Sequence, residues 1–127
     1  MELKQDWKIE LLSVPVADTD RAIAFYVDQV GFNLDHDHRV SDEIRFVQIT
    51  PPGSACSILV GDLSDMPAGS QKGIQLVIPD ADEAAAHLRA NGVECSDVDE
   101  QPFGRFVYFS DPDGNAWALQ QLVVPKG

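Results

Sequence analysis

Two related stretches of this chain indicate its fold: VADTDRAIA at residues 16–24 and IPDADEAAA at residues 78–86. Asp18 in the first corresponds to Asp80 in the second. A second pair of matching stretches follows in the same order and at nearly the same offset, TPPGSA at 50–55 and DPDGNA at 111–116. Two matches in one order indicate two copies of one structural module.

The sequences of the two copies predict the same order of elements. A strand leads into a helix, because Asp18 or Asp20 can cap the first helical turn and Gly31 is a typical residue just after a helix end. Hydrophobic periodicity and turn residues place the remaining elements. The predicted strands are 9–16, 44–50, 56–60, 73–78, 93–96, 106–110 and 116–123, the predicted second helix is 82–90, and turns are predicted at 51–53, 91–92 and 111–114. This is an α+β chain of two βαβββ modules, about 9–61 and about 73–123, joined by a turn-rich linker at 62–72.

Length and composition fit one globular domain. The chain has 127 residues, of which 44 % are hydrophobic and 24 % are charged. No apolar run has the length of a membrane span, and the first ten residues do not read as a signal peptide. Two cysteines are too few for a disulfide framework, so a cytoplasmic location is expected.

The net charge is −12, from 21 acidic and 9 basic residues. Phosphates need a basic face, so this charge argues against a nucleic-acid partner. It is compatible with a cationic small molecule, although acidity also keeps a protein soluble without any such ligand.

The pattern resembles the vicinal oxygen chelate superfamily, which includes glyoxalase I, ring-cleaving dioxygenases, fosfomycin-resistance enzymes and bleomycin-resistance proteins. The resemblance is carried by residues 15–32, 73–93 and 109–117, and the DPDGN turn in the third stretch is its most specific part. It implies paired βαβββ modules whose curved sheets form an open half-barrel around a cavity.

In metal-using members of that superfamily, four ligands, usually His and Glu, lie on the first and fourth strands of the modules. The corresponding positions in this chain are Leu11, Ser57, Gly73 and Ala118. Hydrocarbon side chains donate no electron pair, and one hydroxyl is a poor ligand for a divalent cation. The sequence therefore predicts no metal, no cofactor and none of the Lewis-acid chemistry of those relatives.

Alternation along the strands predicts the lining of the cavity. The candidate lining residues are Leu11, Ser13, Ser57, Leu59, Gly73, Gln75, Tyr108, Ala118 and Gln120. They suit a flat or amphipathic ligand held by a few hydrogen bonds and apolar contacts.

Several other residues carry weaker signals. His36 and His38 lie where the family's second strand begins and could bind a metal only adventitiously. Arg45 and Arg105 could meet an anionic ligand, but surface ion pairs are the simpler interpretation. The remaining candidates are assigned structural roles: Trp117 in the core, Cys56 and Cys95 as inert thiols, and His87 on a helix surface or edge.

Two functions remain open on the sequence alone. The first is a cytoplasmic, homodimeric binding protein that sequesters a cationic or aromatic drug, as the resemblance to the bleomycin-resistance branch and its role in antibiotic resistance imply. The second is a metal-free enzyme of lyase or isomerase type that uses acid–base groups such as Tyr108 or Glu10. A metal-dependent lyase or dioxygenase is disfavoured by the four non-ligating positions.

Overall fold

The computed structural model describes residues 2–61 and 65–122. Part of the predicted linker, 62–64, and the last residue of the predicted final strand, Val123, lie outside these ranges. The elements are β1 (Leu11–Pro15), α1 (Thr19–Ile23), a π-helical segment (Ala24–Val30), β2 (Asn33–Arg39), β3 (Arg45–Thr50), β4 (Ser57–Gly61), β5 (Ile74–Ile78), α2 (Ala81–Ala90), β6 (Asp99–Gln101), β7 (Gly104–Ser110) and β8 (Ala116–Leu122).

The strands form two four-stranded sheets with the same topology. The first sheet has the order β1-β4-β3-β2, and the second has the order β5-β8-β7-β6. In both sheets the first and last strands of the module pair in parallel, and the other pairs are antiparallel. The α+β class and the repeated βαβββ module predicted from the sequence are confirmed.

A carboxylate caps each helix, and of the two candidates Asp18 and Asp20 for the first helix the cap is Asp18. The side chain of Asp18 accepts a hydrogen bond from the backbone N–H of Arg21 at 3.1 Å. The side chain of Asp80 accepts one from the backbone N–H of Glu83, also at 3.1 Å. The second helix therefore begins at Ala81, one residue before its predicted start.

The first helix differs from the prediction in its second half. It is α-helical only as far as Ile23 and continues as the π-helical segment. At its end Gly31 adopts a left-handed conformation with φ of 100° and donates to the carbonyl of Tyr26 at 3.0 Å. A donor five residues after its acceptor is the π-helical pattern, and it widens this turn.

The predicted strand at 93–96 is wrong. Val93 is buried against the core. Ser96 exchanges two hydrogen bonds with the backbone of Tyr108, both at 2.9 Å, and its carbonyl accepts from Arg89 at 3.1 Å, but the segment forms no strand ladder. The edge strand of the second sheet is instead β6, which pairs with β7. Val93 packs on the core and is followed by polar residues. This alternation resembles that of a strand.

One hydrophobic core joins the two modules. Its members from the sheets alternate along the strands and share one side of each sheet, here called the inner face. The inner faces contribute Val14, Val47, Ile49, Ile58, Val60, Val107, Phe109, Trp117 and Leu119 to this core. The π-helical segment lies among them, with the ring of Tyr26 centred 5.6 Å from that of Trp117. The opposite sides, here called the outer faces, consequently point away from the core.

None of the helices in the described ranges is both long enough and apolar enough to cross a membrane.

Candidate functional site

The outer face of the first sheet holds the predicted lining residues of the first module. Leu11 lies directly across from Ser57, and Ser13 lies across from Leu59. The hydroxyl of Ser57 is already engaged, because the side-chain amide of Gln48 donates to it at 3.2 Å and Thr50 Oγ1 lies 2.6 Å from it. The four predicted residues are therefore brought together, and the serine belongs to a local polar network.

An aromatic row crosses the same face toward its edge. The rings of His36 and His38 stack with centroids 5.8 Å apart, and the ring of Phe46 lies 6.4 Å from that of His36. His38 lies across from Phe46 in the β2–β3 ladder. The first sheet thus offers ring surfaces to solvent beside its polar network.

The outer face of the second sheet holds a directed chain of amides. Gln75 lies directly across from Ala118 and donates its amide N–H to the side-chain oxygen of Gln120. Gln120 in turn donates to the carbonyl of Phe103 at 3.2 Å. A carbonyl can only accept, so it fixes the orientation of Gln120 and hence that of Gln75. The side-chain oxygen of Gln75 is left as an acceptor for another group.

A second aromatic row lies beside these amides. The rings of Phe103 and Phe106 have centroids 5.5 Å apart, and those of Phe106 and Tyr108 stack at 5.9 Å. Phe103 is 63 % exposed and Tyr108 is 41 % exposed. Each outer face therefore combines an aromatic row with neutral polar groups.

Tyr108 is held as a hydrogen-bond donor. Its hydroxyl donates to Asp99 at 2.8 Å, and this bond to the carboxylate raises the pKa of the phenol above its ordinary value. Tyr108 is consequently protonated at neutral pH and is unsuited to act there as a general base.

The four positions that correspond to the metal ligands do not fit a divalent cation. Leu11 faces Ser57 across the ladder, but Ala118 faces Gln75, and Gly73 lies just before β5. Among the four positions, the hydroxyl of Ser57 is the sole side-chain group that could donate an electron pair to a metal ion. No group of three or more His, Cys, Asp or Glu residues able to hold a metal ion occurs in residues 2–61 and 65–122.

Both candidate arginines are tied into ion pairs. Arg45 lies 2.7 Å from Asp20 and 2.8 Å from Asp37. Arg105 lies 3.1 Å from Asp82 and 2.8 Å from Glu100. The interpretation of these residues as surface ion pairs is confirmed.

The remaining predicted residues fall into structural positions. Trp117 is buried in the core, as predicted, and Cys56 is partly buried on the helix-facing side. Glu10 is exposed just before β1. His87 reaches from α2 to the carbonyl of Val30, with its Nε2 2.7 Å from that oxygen, and so ties α2 to the π-helical segment.

The lining predicted from the sequence lacks two ring-bearing residues of the outer faces, Phe46 and Phe103. Phe46 alternates with Val47 and shares a face with Gln48 and Thr50, so its alternation was a usable signal. Phe103 lies in the tight turn between β6 and β7, where alternation gives no orientation.

The chain belongs to the Glyoxalase/Bleomycin resistance protein/Dioxygenase superfamily. The model of that family matches residues 8–119, nearly the whole sequence.

Several members of known structure or sequence are similar to it. The crystal structure of TnmS3, an antibiotic binding protein from Streptomyces sp. CB03234, superposes with a TM-score of 0.86 at 36 % identity and covers 96 % of this chain and all of that one. A glyoxalase/bleomycin resistance protein from the same organism gives a TM-score of 0.80 at 39 % identity, over 90 % of this chain and all of the other. The uncharacterized protein YetH of Bacillus subtilis is 26 % identical over 90 % of this chain and 98 % of its own length.

Proposed function

We propose that this protein is a metal-independent small-molecule-binding protein that sequesters an antibiotic or a similar flat, amphipathic compound. The observation that carries the proposal is the donor set at Leu11, Ser57, Gly73 and Ala118, which cannot hold the metal that the enzymes of the superfamily use. A fold that retains the sheet surfaces able to contact a ligand, but lacks the metal that acts as Lewis acid, is suited to binding. The similarity to TnmS3, an antibiotic binding protein, supports the same reading.

The chemistry of the outer faces supports a flat ligand with polar edges. The rows His36–His38–Phe46 and Phe103–Phe106–Tyr108 offer ring surfaces for stacking. Beside the second row, Gln75 donates its amide N–H to Gln120, which leaves its side-chain oxygen to accept from a ligand. The hydroxyl of Ser57 lies on the corresponding face of the first sheet. The proposed site comprises the nine lining residues predicted from the sequence together with these two rows.

A homodimer is part of the proposal. The inner faces of both sheets enclose one core, so the two outer faces of a single chain do not enclose a ligand between them. A second copy would bring the outer face of its second sheet against the first sheet of its partner. This arrangement buries exposed apolar groups such as Phe103 and Val77, and Val77 is 65 % exposed in the single chain.

The proposed location is the cytoplasm. The net charge of −12 favours a cationic ligand. Asp99 lies at the outer face, bonded to Tyr108, and supplies a carboxylate close to the aromatic row. A cation stacked on that row gains from the ring faces as well as from the carboxylate. Attraction of this kind weakens as salt screens it.

The experiment is a thermal-shift screen of flat aromatic compounds against the purified protein, with each cation paired with a neutral analogue. Binding to the folded state raises the melting temperature. We expect cations to raise the melting temperature by an amount that decreases at high salt. We also expect to recover the compound chemically unchanged after prolonged incubation. Conversion of a compound by the protein in the absence of metal would instead favour the metal-free enzyme.

A further inference from the structure

A cavity of about 640 Å³ lies on the helix side of the sheets, between the two modules. Its walls come from the inner faces of both sheets and from α2, including Leu12, Ile58, Leu76, Leu119 and Leu88. Gln75 and Val77, which lie on the outer face of the second sheet, also line it, but no residue of the two aromatic rows of the proposed antibiotic site does. Its volume lies in the range of small-molecule sites.

The lining is uncharged in a strongly charged protein. Although 24 % of the residues of the chain are Asp, Glu, Lys or Arg, none of the described residues that line the cavity is one of these. An ion entering it would lose hydration without gaining a charged partner. The occupant must therefore be neutral.

The polar side chains of the lining already have partners within the chain. His87 is bonded to the carbonyl of Val30 at 2.7 Å, and Ser54 donates to the carbonyl of Cys56 at 3.0 Å. The amide of Gln75 is bonded to Gln120, and the thiol of Cys56 lies 3.6 Å from the carbonyl of Ser57. Apart from the side-chain oxygen of Gln75, these polar groups already have a partner. An apolar lining of this kind favours an apolar molecule over water.

We infer that the cavity between the modules is a second binding site, one that takes a neutral, apolar small molecule. Ile9 and Pro52 lie at its rim, which is open to solvent there, since Ile9 is 68 % exposed. Apolar surface buried there stabilises the complex by the hydrophobic effect, without electrostatic steering.

The test is a fluorescence titration of the full chain with N-phenyl-1-naphthylamine, a neutral apolar dye, compared with its anionic sulfonate analogue. We expect one saturable site per chain for the neutral dye, with an affinity that high salt does not weaken. The sulfonate should bind far more weakly. Tyr108→Ala, a change on the outer face, should leave the affinity for the neutral dye unaltered, which separates this site from the proposed antibiotic site.

Two alanines of α2 give a matched pair of variants. Ala84 lines the cavity, whereas Ala86 is exposed on the same helix and does not. Ala84→Leu places a larger side chain in the cavity and should weaken dye binding at least about tenfold, whereas Ala86→Leu should not change it. Equal affinities in the two variants, or a titration without saturation, would overturn the inference. The inference would also be overturned if Ala84→Leu, but not Ala86→Leu, made the protein a monomer. That result would mean that a second copy of the chain occupies the cavity.

A thiol measurement covers the case in which Ala84→Leu does not fold. In a Cys95→Ser chain the remaining thiol is Cys56, which lines the cavity. Saturating dye should slow its reaction with N-ethylmaleimide in proportion to occupancy. A reaction rate that is the same with and without dye would contradict the inference.

Discussion

Tyr26 connects the modules through a buried hydrogen-bond network. Its hydroxyl donates to Asp111 at 2.6 Å and accepts from the indole N–H of Trp117 at 3.0 Å. Asp111 also accepts from the backbone and side chain of Asn115, whose amide donates to the carbonyl of Pro15 at 2.7 Å. The DPDGN turn therefore holds the second sheet to β1 and to the π-helical segment, which gives this motif a structural role.

Tyr26→Phe should destabilise the protein by about 1–3 kcal/mol, because it leaves the Trp117 N–H and one Asp111 oxygen with fewer partners in a buried site. Urea unfolding measures the change in the free energy of unfolding. Tyr108→Phe is the matched control, since it removes one exposed hydroxyl, and it should have a much smaller effect. Equal losses in the two variants would contradict the structural role of the Tyr26 network.

The same tyrosine makes stability depend on alkaline pH. Burial, and then the hydrogen bond to Asp111, raise the pKa of Tyr26 above its ordinary value. Above about pH 10 the unfolded chain loses this proton while the folded chain keeps it, so stability is lost as the pH rises.

Wild type should lose free energy of unfolding faster than Tyr26→Phe above that pH, by up to about 1.4 kcal/mol per pH unit. Urea unfolding of both proteins between neutral pH and pH 11 measures the difference. Parallel profiles over the whole range would show that Tyr26 ionises as readily in the folded chain as in the unfolded one.

At the scale of elements, the repeat extends to individual ion pairs. Arg45 on β3 joins Asp20 on α1 to Asp37 on β2. Arg105 on β7 joins Asp82 on α2 to Glu100 on β6, the equivalent elements of the second module. The carboxylates of Asp20, Asp82 and Glu100 are largely exposed, so the pairs add little stability. Their recurrence shows that the two modules are copies in side-chain contacts as well as in topology.

The start of α2 supplies the next prediction. Asp80 caps the helix, so Asp80→Ala should destabilise the protein by about 1 kcal/mol through the loss of the bond to the N–H of Glu83. Thermal or urea unfolding measures this loss. Asp82→Ala removes an exposed ion pair and should cost less. The reverse order of the two effects would mean that the helix begins at Asp82.

Local signals predicted the elements that depend on local chemistry. The caps at Asp18 and Asp80 and the left-handed Gly31 follow from the preferences of single residues. The π-helical turn does not follow, because it depends on packing the aromatic residues near Tyr26 against Trp117, far away in the sequence. The strand β6 was missed for a similar reason: its residues are polar, and only the ladder to β7 makes them a strand.

For the whole molecule, alternation predicted which residues share a face and that the apolar face packs on the helix, but not how the two sheets are placed relative to each other. It placed Leu11 with Ser57 and Gln75 with Ala118, as the ladders do. Periodicity carries no information on how two sheets are arranged, so the shared core between the inner faces could not be foreseen. That core is the reason why we propose that the site includes a second chain.

We therefore predict that the protein is a dimer in solution. Sedimentation equilibrium should give a mass about twice the 13.9 kDa of the chain, because two copies are needed to enclose a ligand between outer faces. Phe103→Glu, which places a charge in the proposed interface, should weaken association and ligand binding together. A monomer that binds with full affinity would contradict the shared site.

The central claim is that binding needs no metal. The most direct measurement is a calorimetric titration of the compound with the largest thermal shift into two samples of the protein, one treated with a chelator and dialysed, the other supplemented with zinc, manganese and iron(II) ions. The account predicts the same affinity and stoichiometry in both samples. Binding that disappears on chelation and returns with one of the metals would contradict it.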